Sequence, residues 1–127
     1  MQDYHLFEYA VIRVVPRVER EEFINAGVIL YCARKKFLQV IIAADESRLA
    51  AFAAQSDINE IKQNLKALER ICTGQKDGGP IGQLDLASRF RWLTATRSTV
   101  IQTSKVHPGF CKDPLEKLTQ LVAKQVL

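Results

Sequence analysis

The sequence predicts an α+β fold, with a mostly antiparallel sheet of about four strands and helices packed on one face. Three observations predict it: β-prone segments are gathered before residue 45, amphipathic helical segments follow them, and one further β-prone segment lies near residue 100. Strands in one part of a chain and helices in another are typical of α+β folds. The 127 residues fit one domain, which we place over residues 1–127, and leave no room for two ordinary ones.

Three strands are predicted in the first third of the chain. The first, from Tyr4 to Val15, is rich in aromatic and β-branched residues and largely apolar on both faces, so part of it should be covered on both sides. Pro16 ends it because proline has no N–H to donate. The other two, residues 27–33 and 37–43, are separated by residues 34–36 alone, and such a short break predicts a hairpin. A helical turn can form around residues 19–23.

Helices are predicted in the middle of the chain. Asp45 can cap a short helix that buries Leu49. Asp57 and Glu60 form a pair similar to a capping box, which predicts that a longer helix begins there, and Gly74 is placed to end it. The expected apolar stripe of this helix is Ile58, Ile61, Leu65, Leu68 and Cys72.

The glycine-rich residues 75–82 predict a turn. They lack the Lys-Ser ending of a phosphate-binding P-loop. Asp85 is placed to start the next helix, and residues 99–103 predict a fourth strand. An irregular loop is expected over residues 105–111. The last helix should begin at Asp113-Pro114-Leu115-Glu116. Its expected buried residues are Leu115, Leu118 and Val122.

Composition excludes some classes of protein. With 18 basic and 14 acidic side chains the formal net charge is +4. Dedicated nucleic-acid binders usually gather more positive charge than this, clustered on one face. Cys32, Cys72 and Cys111 stand about forty residues apart and form no zinc or redox spacing. No apolar run is long enough to span a membrane, and the N-terminus has no signal-peptide pattern. We therefore expect a cytoplasmic protein with no metal, no cofactor and no membrane partner.

Polar residues are concentrated at the end of the first strand. Arginines and carboxylates this close in sequence suit either an anion site or a network of ion pairs. Arg13 stands out because it lies inside an apolar strand, where a charge needs a partner. The members are Arg13, Arg17, Glu19, Arg20, Glu21, Glu22 and Asn25.

A second concentration lies where the helix after Asp85 passes into the fourth strand. It combines three arginines, several hydroxyls and the chain's one tryptophan, which suits a protein-interaction hot spot or a nucleic-acid surface. Alternatively, Trp92 packs in the core. The residues are Arg89, Arg91, Trp92, Arg97, Ser98 and Thr99.

His107 and Cys111 form a third candidate. They can meet as base and nucleophile, or bind a metal with a third ligand, but their spacing supports neither arrangement specifically. We assign no catalytic residue.

Two strings, YAVIRVVPRVEREEFINAGVILYC and RFRWLTATRSTVIQTSKVHPGFC, resemble the bacterial domain-of-unknown-function family 3037, and the likeness covers nearly the whole chain. The family signature has a proline before the Arg-Ser pair, where this chain has Thr96. The resemblance implies no activity. It does imply a partner, because such proteins are often encoded beside a kinase similar to the HipA type. By resemblance, Arg13, Pro16, Arg17, Glu19, Glu22, Asn25 and Gly27 match the first motif, and Phe90, Trp92, Leu93, Arg97, Ser98, Thr99, His107 and Cys111 the second.

Three hypotheses follow. The first is a non-catalytic accessory or protein-interaction module, with the HipA-like kinase as a candidate partner. The second is a phosphate- or nucleotide-binding domain or enzyme, with Arg13, Arg17, Arg97 and Ser98 holding the anion and Glu19, Glu22 or His107 supplying acid–base chemistry. It predicts that the two motifs lie together in space. The third is weak nucleic-acid binding, which a salt titration tests.

Overall fold

The computed structural model describes residues 3–15, 22–52, 55–74, 76–95 and 100–127. Five strands form one sheet, and every pairing between them is antiparallel. The α+β class is therefore confirmed. The strands are β1 (His5–Val14), β2 (Ile24–Cys32), β3 (Phe37–Ile42), β4 (Ile101–Thr103) and β5 (His107–Cys111).

The helices lie between β3 and β4 and after β5. Asp45, Asp85 and Asp113 accept backbone N–H groups at the starts of three of them, as their positions in the sequence predict. The helices are α1 (Glu46–Phe52), α2 (Gln55–Thr73), α3 (Gly79–Gly82), α4 (Leu86–Leu93) and α5 (Pro114–Gln125), with a 3-10 turn at Lys76–Gly78.

One edge of the sheet is a broken strand. The order is β3-β2-β1, and both β4 and β5 then pair with β1, with Val14 opposite Ile101 and His5 opposite Cys111. The prediction of an irregular loop over residues 105–111 is therefore wrong for residues 107–111, which form β5, and agrees with the structure at residues 105 and 106. Pro108 suggested a loop because proline has no N–H to donate to a neighbouring strand. In an edge strand its nitrogen can face away from β1, where no N–H is needed.

The break between β4 and β5 is bridged by Ser104. Its backbone N–H donates to the Val11 carbonyl oxygen at 2.8 Å, and its hydroxyl oxygen accepts the Val11 N–H at 2.8 Å. The hydroxyl in turn donates to the Lys105 carbonyl oxygen at 2.9 Å. Ser104 therefore continues the ladder with its side chain. It is buried, with 7% of its surface exposed.

The sheet is covered on both faces. Leu49, Ile61 and Phe90, from α1, α2 and α4, pack in one core cluster with the even-numbered β1 residues Ala10, Ile12 and Val14. On the other face, α5 packs against Phe7 and against β2 residues. The prediction that helices pack on one face thus holds for the middle helices and is wrong for α5. The reason is that β1 and β2 are apolar on both faces, so each face needs a cover.

The β2–β3 hairpin forms as predicted, with a loop of residues 33–36. The Lys36 N–H donates to the Ala33 carbonyl oxygen at 3.1 Å. Lys36 takes the left-handed conformation, with φ of 51°, which glycine or asparagine more often occupies. The hairpin therefore forms without the turn residues that such loops favour.

The long helix agrees with its predicted stripe but not with its predicted start. Ile58, Ile61, Leu65, Leu68 and Cys72 are all buried. Because α2 begins at Gln55, Asp57 lies in its first turn, where a carboxylate still interacts favourably with the helix dipole, and is not the N-cap. Gly74 ends the helix at φ of 74°, as expected.

Two further predictions in the helical regions need correction. Beyond Gln75, which lies outside the described residues, the glycine-rich segment forms the 3-10 turn and α3. In α5, Leu118 and Val122 are buried as predicted, but Leu115 is 49% exposed. Leu121 is buried in its place, in the same core cluster as Leu118 and Val122.

Candidate functional site

The two motifs converge at one end of the sheet. Arg13 of β1 lies opposite Gln102 of β4, and the Val15 N–H donates to the Val100 carbonyl oxygen at 2.6 Å. Residues 16–21 follow Val15 directly in sequence, and residues 96–99 precede Val100. The described ends of the two motif segments are thus hydrogen-bonded to each other. Among the predicted site residues, Arg17, Glu19, Arg97, Ser98 and Thr99 lie outside the described residues.

Arg13 is partly buried and meets an aromatic ring where the sequence led us to expect an anion. Its guanidinium carbon lies 4.2 Å from the centre of the Phe23 ring, a cation–π contact. Its buried Nε atom has no hydrogen-bond partner among the described residues. Phe23 itself is substantially exposed. Arg13 therefore retains one unused donor at the place where the motifs meet.

Asn25 has a structural task. It lies opposite Arg13 on β2, and its Nδ2 donates to the Gln125 carbonyl oxygen at 2.8 Å. This bond satisfies one of the carbonyls left without a partner at the end of α5. The Oδ1 of Asn25 is buried and has no partner in the described part of the chain. Glu22, two residues before β2, is exposed and takes part in an interaction.

Two arginines of the second motif are used within the fold. Arg91 forms a bidentate pair with Glu8, at 2.8 and 2.9 Å, which ties α4 to β1. The hydrogen bond to Glu8 raises the pKa of Arg91. Arg89 donates through Nη1 to the Leu84 carbonyl oxygen at 2.8 Å. These side chains therefore do not form the free basic surface that a nucleic-acid site needs.

Trp92 lies at the border of a groove between α2 and α4. It is 39% exposed, whereas its neighbours Phe90 and Leu93 are buried. The groove has a volume of about 350 Å³ and ends against β4. An indole that is partly exposed beside apolar side chains is typical of protein-interaction hot spots. The groove is lined by Asn64, Ala67, Leu68, Ile71, Trp92, Leu93 and Ile101.

His107 and Cys111 do not form a catalytic pair. Both lie on β5, and four residues of a strand span about 13 Å. His107 is exposed, and its ring centre lies 5.3 Å from that of Tyr9, the residue opposite it on β1. Cys111 is buried, and burial raises the pKa of its thiol. A base–nucleophile interaction between them is therefore excluded.

The other two thiols are equally unsuited to chemistry. Cys32 and Cys72 are buried and free. Burial raises the pKa of Cys72 to about 12, against an opposing effect of the nearby Arg89 charge. No group of three or more histidine, cysteine or acidic residues within the described ranges could hold a metal ion. The described helices include none that is both long and apolar enough to cross a membrane.

One groove was missed from the sequence. It lies between β5 and α5, has a volume of about 450 Å³, and is lined in part by Tyr9, Gly109, Lys117 and Lys124. The Phe7 ring packs directly against the backbone of Gly109 at this groove. It can do so because glycine has no Cβ, which would lie 2.7 Å from the ring. The groove was missed because β5 was expected to be a loop. The i, i+7 spacing of Lys117 and Lys124 was the available signal.

The fold and the site define a small α+β domain in which two polar motifs meet at one end of the sheet. A family model described as protein of unknown function, DUF3037, matches residues 9–126. The chain belongs to this family, as its two motifs predicted. No curated protein and no solved structure matches it.

Proposed function

We propose that this chain is a non-catalytic protein-interaction module, and that the groove beside Trp92 is its partner-binding surface. The observation that carries the proposal is the partial exposure of Trp92 at the border of an apolar groove. Trp is among the residues most enriched in interaction hot spots, where it fills a desolvated pocket on the partner.

The shape of the groove suits a side chain or a helical turn of another protein. Leu68 and Leu93 are buried at its base, and Ile71 and Ile101 extend the apolar lining. Asn64 supplies a polar group on the α2 side. An apolar base with a polar border matches the general anatomy of protein interfaces.

The partner that the family resemblance suggests is a kinase similar to the HipA type. The engaged arginines support a protein partner over a nucleic acid, because Arg91 is paired with Glu8 and Arg89 with a backbone carbonyl. The accessory role is further supported by the separation of His107 from Cys111.

Binding of the purified chain to a purified HipA-like kinase tests the proposal. We expect Trp92→Ala to weaken binding by about 30-fold, the effect of losing a hot spot of about 2 kcal/mol. Leu115→Ala is the matched control, since Leu115 is also an exposed apolar residue but lies on α5 at the other face of the sheet. No binding by the unmodified chain, or equal loss in both variants, would contradict the proposal.

A second candidate is an anion site at the junction of the motifs. It is favoured by the Val15–Val100 hydrogen bond and by the unused Nε of Arg13. In this alternative, Arg13, Arg17, Arg97 and Ser98 would bind a phosphate group.

Calorimetric titration with inorganic phosphate and ATP tests this alternative. We expect Arg13→Gln to abolish binding and Arg34→Gln, in the β2–β3 loop, to leave it unchanged. Absence of heat with both probes at low ionic strength would remove the anion site.

A further inference from the structure

We propose that β3 is a docking edge for a second copy of this chain, and that two copies pair their β3 strands antiparallel to form one continuous sheet. Among the described residues, β3 is the terminal strand of the sheet and pairs with β2 alone. An uncovered edge strand presents a row of N–H and C=O groups that can accept another strand.

The hydrogen-bonding pattern identifies which backbone N–H and C=O groups of β3 point away from β2. The Ala43 N–H donates to the Ala26 carbonyl oxygen at 2.7 Å, in the same register as Ile41 opposite Val28 and Gln39 opposite Leu30. Antiparallel pairs alternate between bonded and non-bonded, so the odd-numbered β3 residues bond to β2. The N–H and C=O groups of Leu38, Val40 and Ile42 therefore point outward. No hydrogen bond within the described ranges reaches them.

The edge lacks the features that usually block pairing. The segment Phe37–Ile42, FLQVII, contains no charge, proline or glycine. Natural edge strands are commonly protected by lysine, proline or a bulge. Four of its apolar side chains stay partly exposed although the strand contributes to both cores. They are Phe37, Val40, Ile41 and Ile42.

The charges at the two ends favour a second copy as the occupant. Residues 34–36, Arg-Lys-Lys, precede the strand, and Asp45 and Glu46 follow it. Antiparallel pairing centred on Val40 places Leu38 of one copy opposite Ile42 of the other and brings Lys35 near Asp45. Lys35 of each copy then lies near Asp45 of the other, which is the carboxylate left for this contact because Glu46 is already paired with Lys62. Parallel pairing would bring like charges together.

The same register uses every open group. With Val40 on the two-fold axis, Leu38, Val40 and Ile42 all form bonded pairs, which gives about six N–H···O bonds across the axis. The arrangement is isologous, since the same strand serves both copies. A strand pair is a small interface beside the roughly 800 Å² per partner of a standard one, so we expect a concentration-dependent dimer.

Sedimentation velocity over low-micromolar to submillimolar concentrations tests the proposal. Gln39 is the exposed residue of β3, and in this register the two copies place it diagonally across the axis on one face. We expect Gln39→Lys and Gln39→Glu each to weaken the dimer about 2- to 5-fold, the effect of about 0.5–1 kcal/mol of repulsion between like charges on this diagonal. An equimolar mixture of the two variants should restore dimerisation.

The matched control is Gln120→Lys, which makes the same charge change on α5 beside β5. It should dimerise like the unmodified chain. A chain that stays monomeric at every concentration overturns the proposal, and so does a dimer that ignores both Gln39 variants or a mixture that does not recover. A different protein that needs Gln39 for binding, with this chain monomeric alone, also overturns it.

Discussion

Val15 donates its backbone N–H to the carbonyl oxygen of Val100, and this 2.6 Å bond joins two parts of the chain that are far apart in sequence. It extends the β1–β4 pairing beyond Val14 and Ile101. Each residue lies within one of the two family motifs. The convergence is therefore a property of sheet topology, since β4 and β5 both return along β1.

Removing the Ser104 hydroxyl should destabilise the sheet edge. Ser104→Ala leaves the Val11 N–H buried without its acceptor, which costs about 1–3 kcal/mol. Urea unfolding of the two proteins measures the difference. Ser47→Ala, at an exposed position in α1, is the control and should change stability by less than about 0.5 kcal/mol. Equal stability of Ser104→Ala and the unmodified chain would contradict the hydroxyl's place in the ladder.

Gly27→Ala should destabilise the β2–β3 pair. A Cβ at Gly27 would lie 2.5 Å from the backbone carbonyl oxygen of Ile41, which cannot move without shifting β3. We expect a loss of about 1–3 kcal/mol, as for other overpacked sites. Thermal unfolding followed by circular dichroism measures it. Ala50→Gly, at an exposed position in α1, is the control, with an expected loss of about 1 kcal/mol or less. Gly79→Ala would not serve, because Gly79 has a positive φ.

The pairing of Glu8 with Arg91 should make a modest contribution to stability. Both side chains are partly exposed, so a double-mutant cycle with Glu8→Gln and Arg91→Gln should give a coupling of about 0.2–1 kcal/mol. The coupling should fall in high salt, because the solvent-exposed part of the interaction is screened. A coupling indistinguishable from zero at low salt would show that the bidentate geometry does not persist in solution.

Stability should fall at alkaline pH because of Cys72. Its pKa is about 12 in the folded chain against 9.0 for an unperturbed thiol. Between these values the unfolded chain has released the proton and the folded chain still holds it. Its contribution is thus fully present below pH 9 and is lost as the pH rises toward 12.

The slope contributed by this one thiol approaches about 1.4 kcal/mol per pH unit above pH 9. Urea unfolding under reducing conditions at several pH values measures it, and Cys72→Ala should show a shallower decline than the unmodified chain. Identical slopes would mean that the Cys72 thiol is accessible to solvent when folded.

The sequence predicted elements whose signals are local. Asp85 and Asp113 cap helices, and the stripe from Ile58 to Cys72 is buried, because capping residues and 3.6-residue periodicity need no knowledge of the rest of the fold. β5 was missed because Pro108 and Gly109 are poor strand formers, and their pairing depends on the long-range partner β1.

The candidate site was only partly accessible to sequence reasoning. The meeting of the two motifs was deduced as a requirement of the anion hypothesis, whereas the tasks of Asn25, Arg89 and Arg91 were not. Their partners, respectively a carbonyl of α5, the Leu84 carbonyl and Glu8, are set by tertiary packing. Composition and spacing do not distinguish such internal bonds from a binding surface.

Fluorescence of Trp92 tests the proposed interaction surface most directly. It is the one tryptophan in the chain, so its emission reports on the groove alone whenever the added protein carries no tryptophan of its own. A HipA-like kinase whose tryptophans are replaced by phenylalanine serves as the titrant. We predict a saturable blue shift as the partly exposed indole is buried, and the same binding curve with Leu115→Ala. A complex that forms without any change in Trp92 emission would contradict the account.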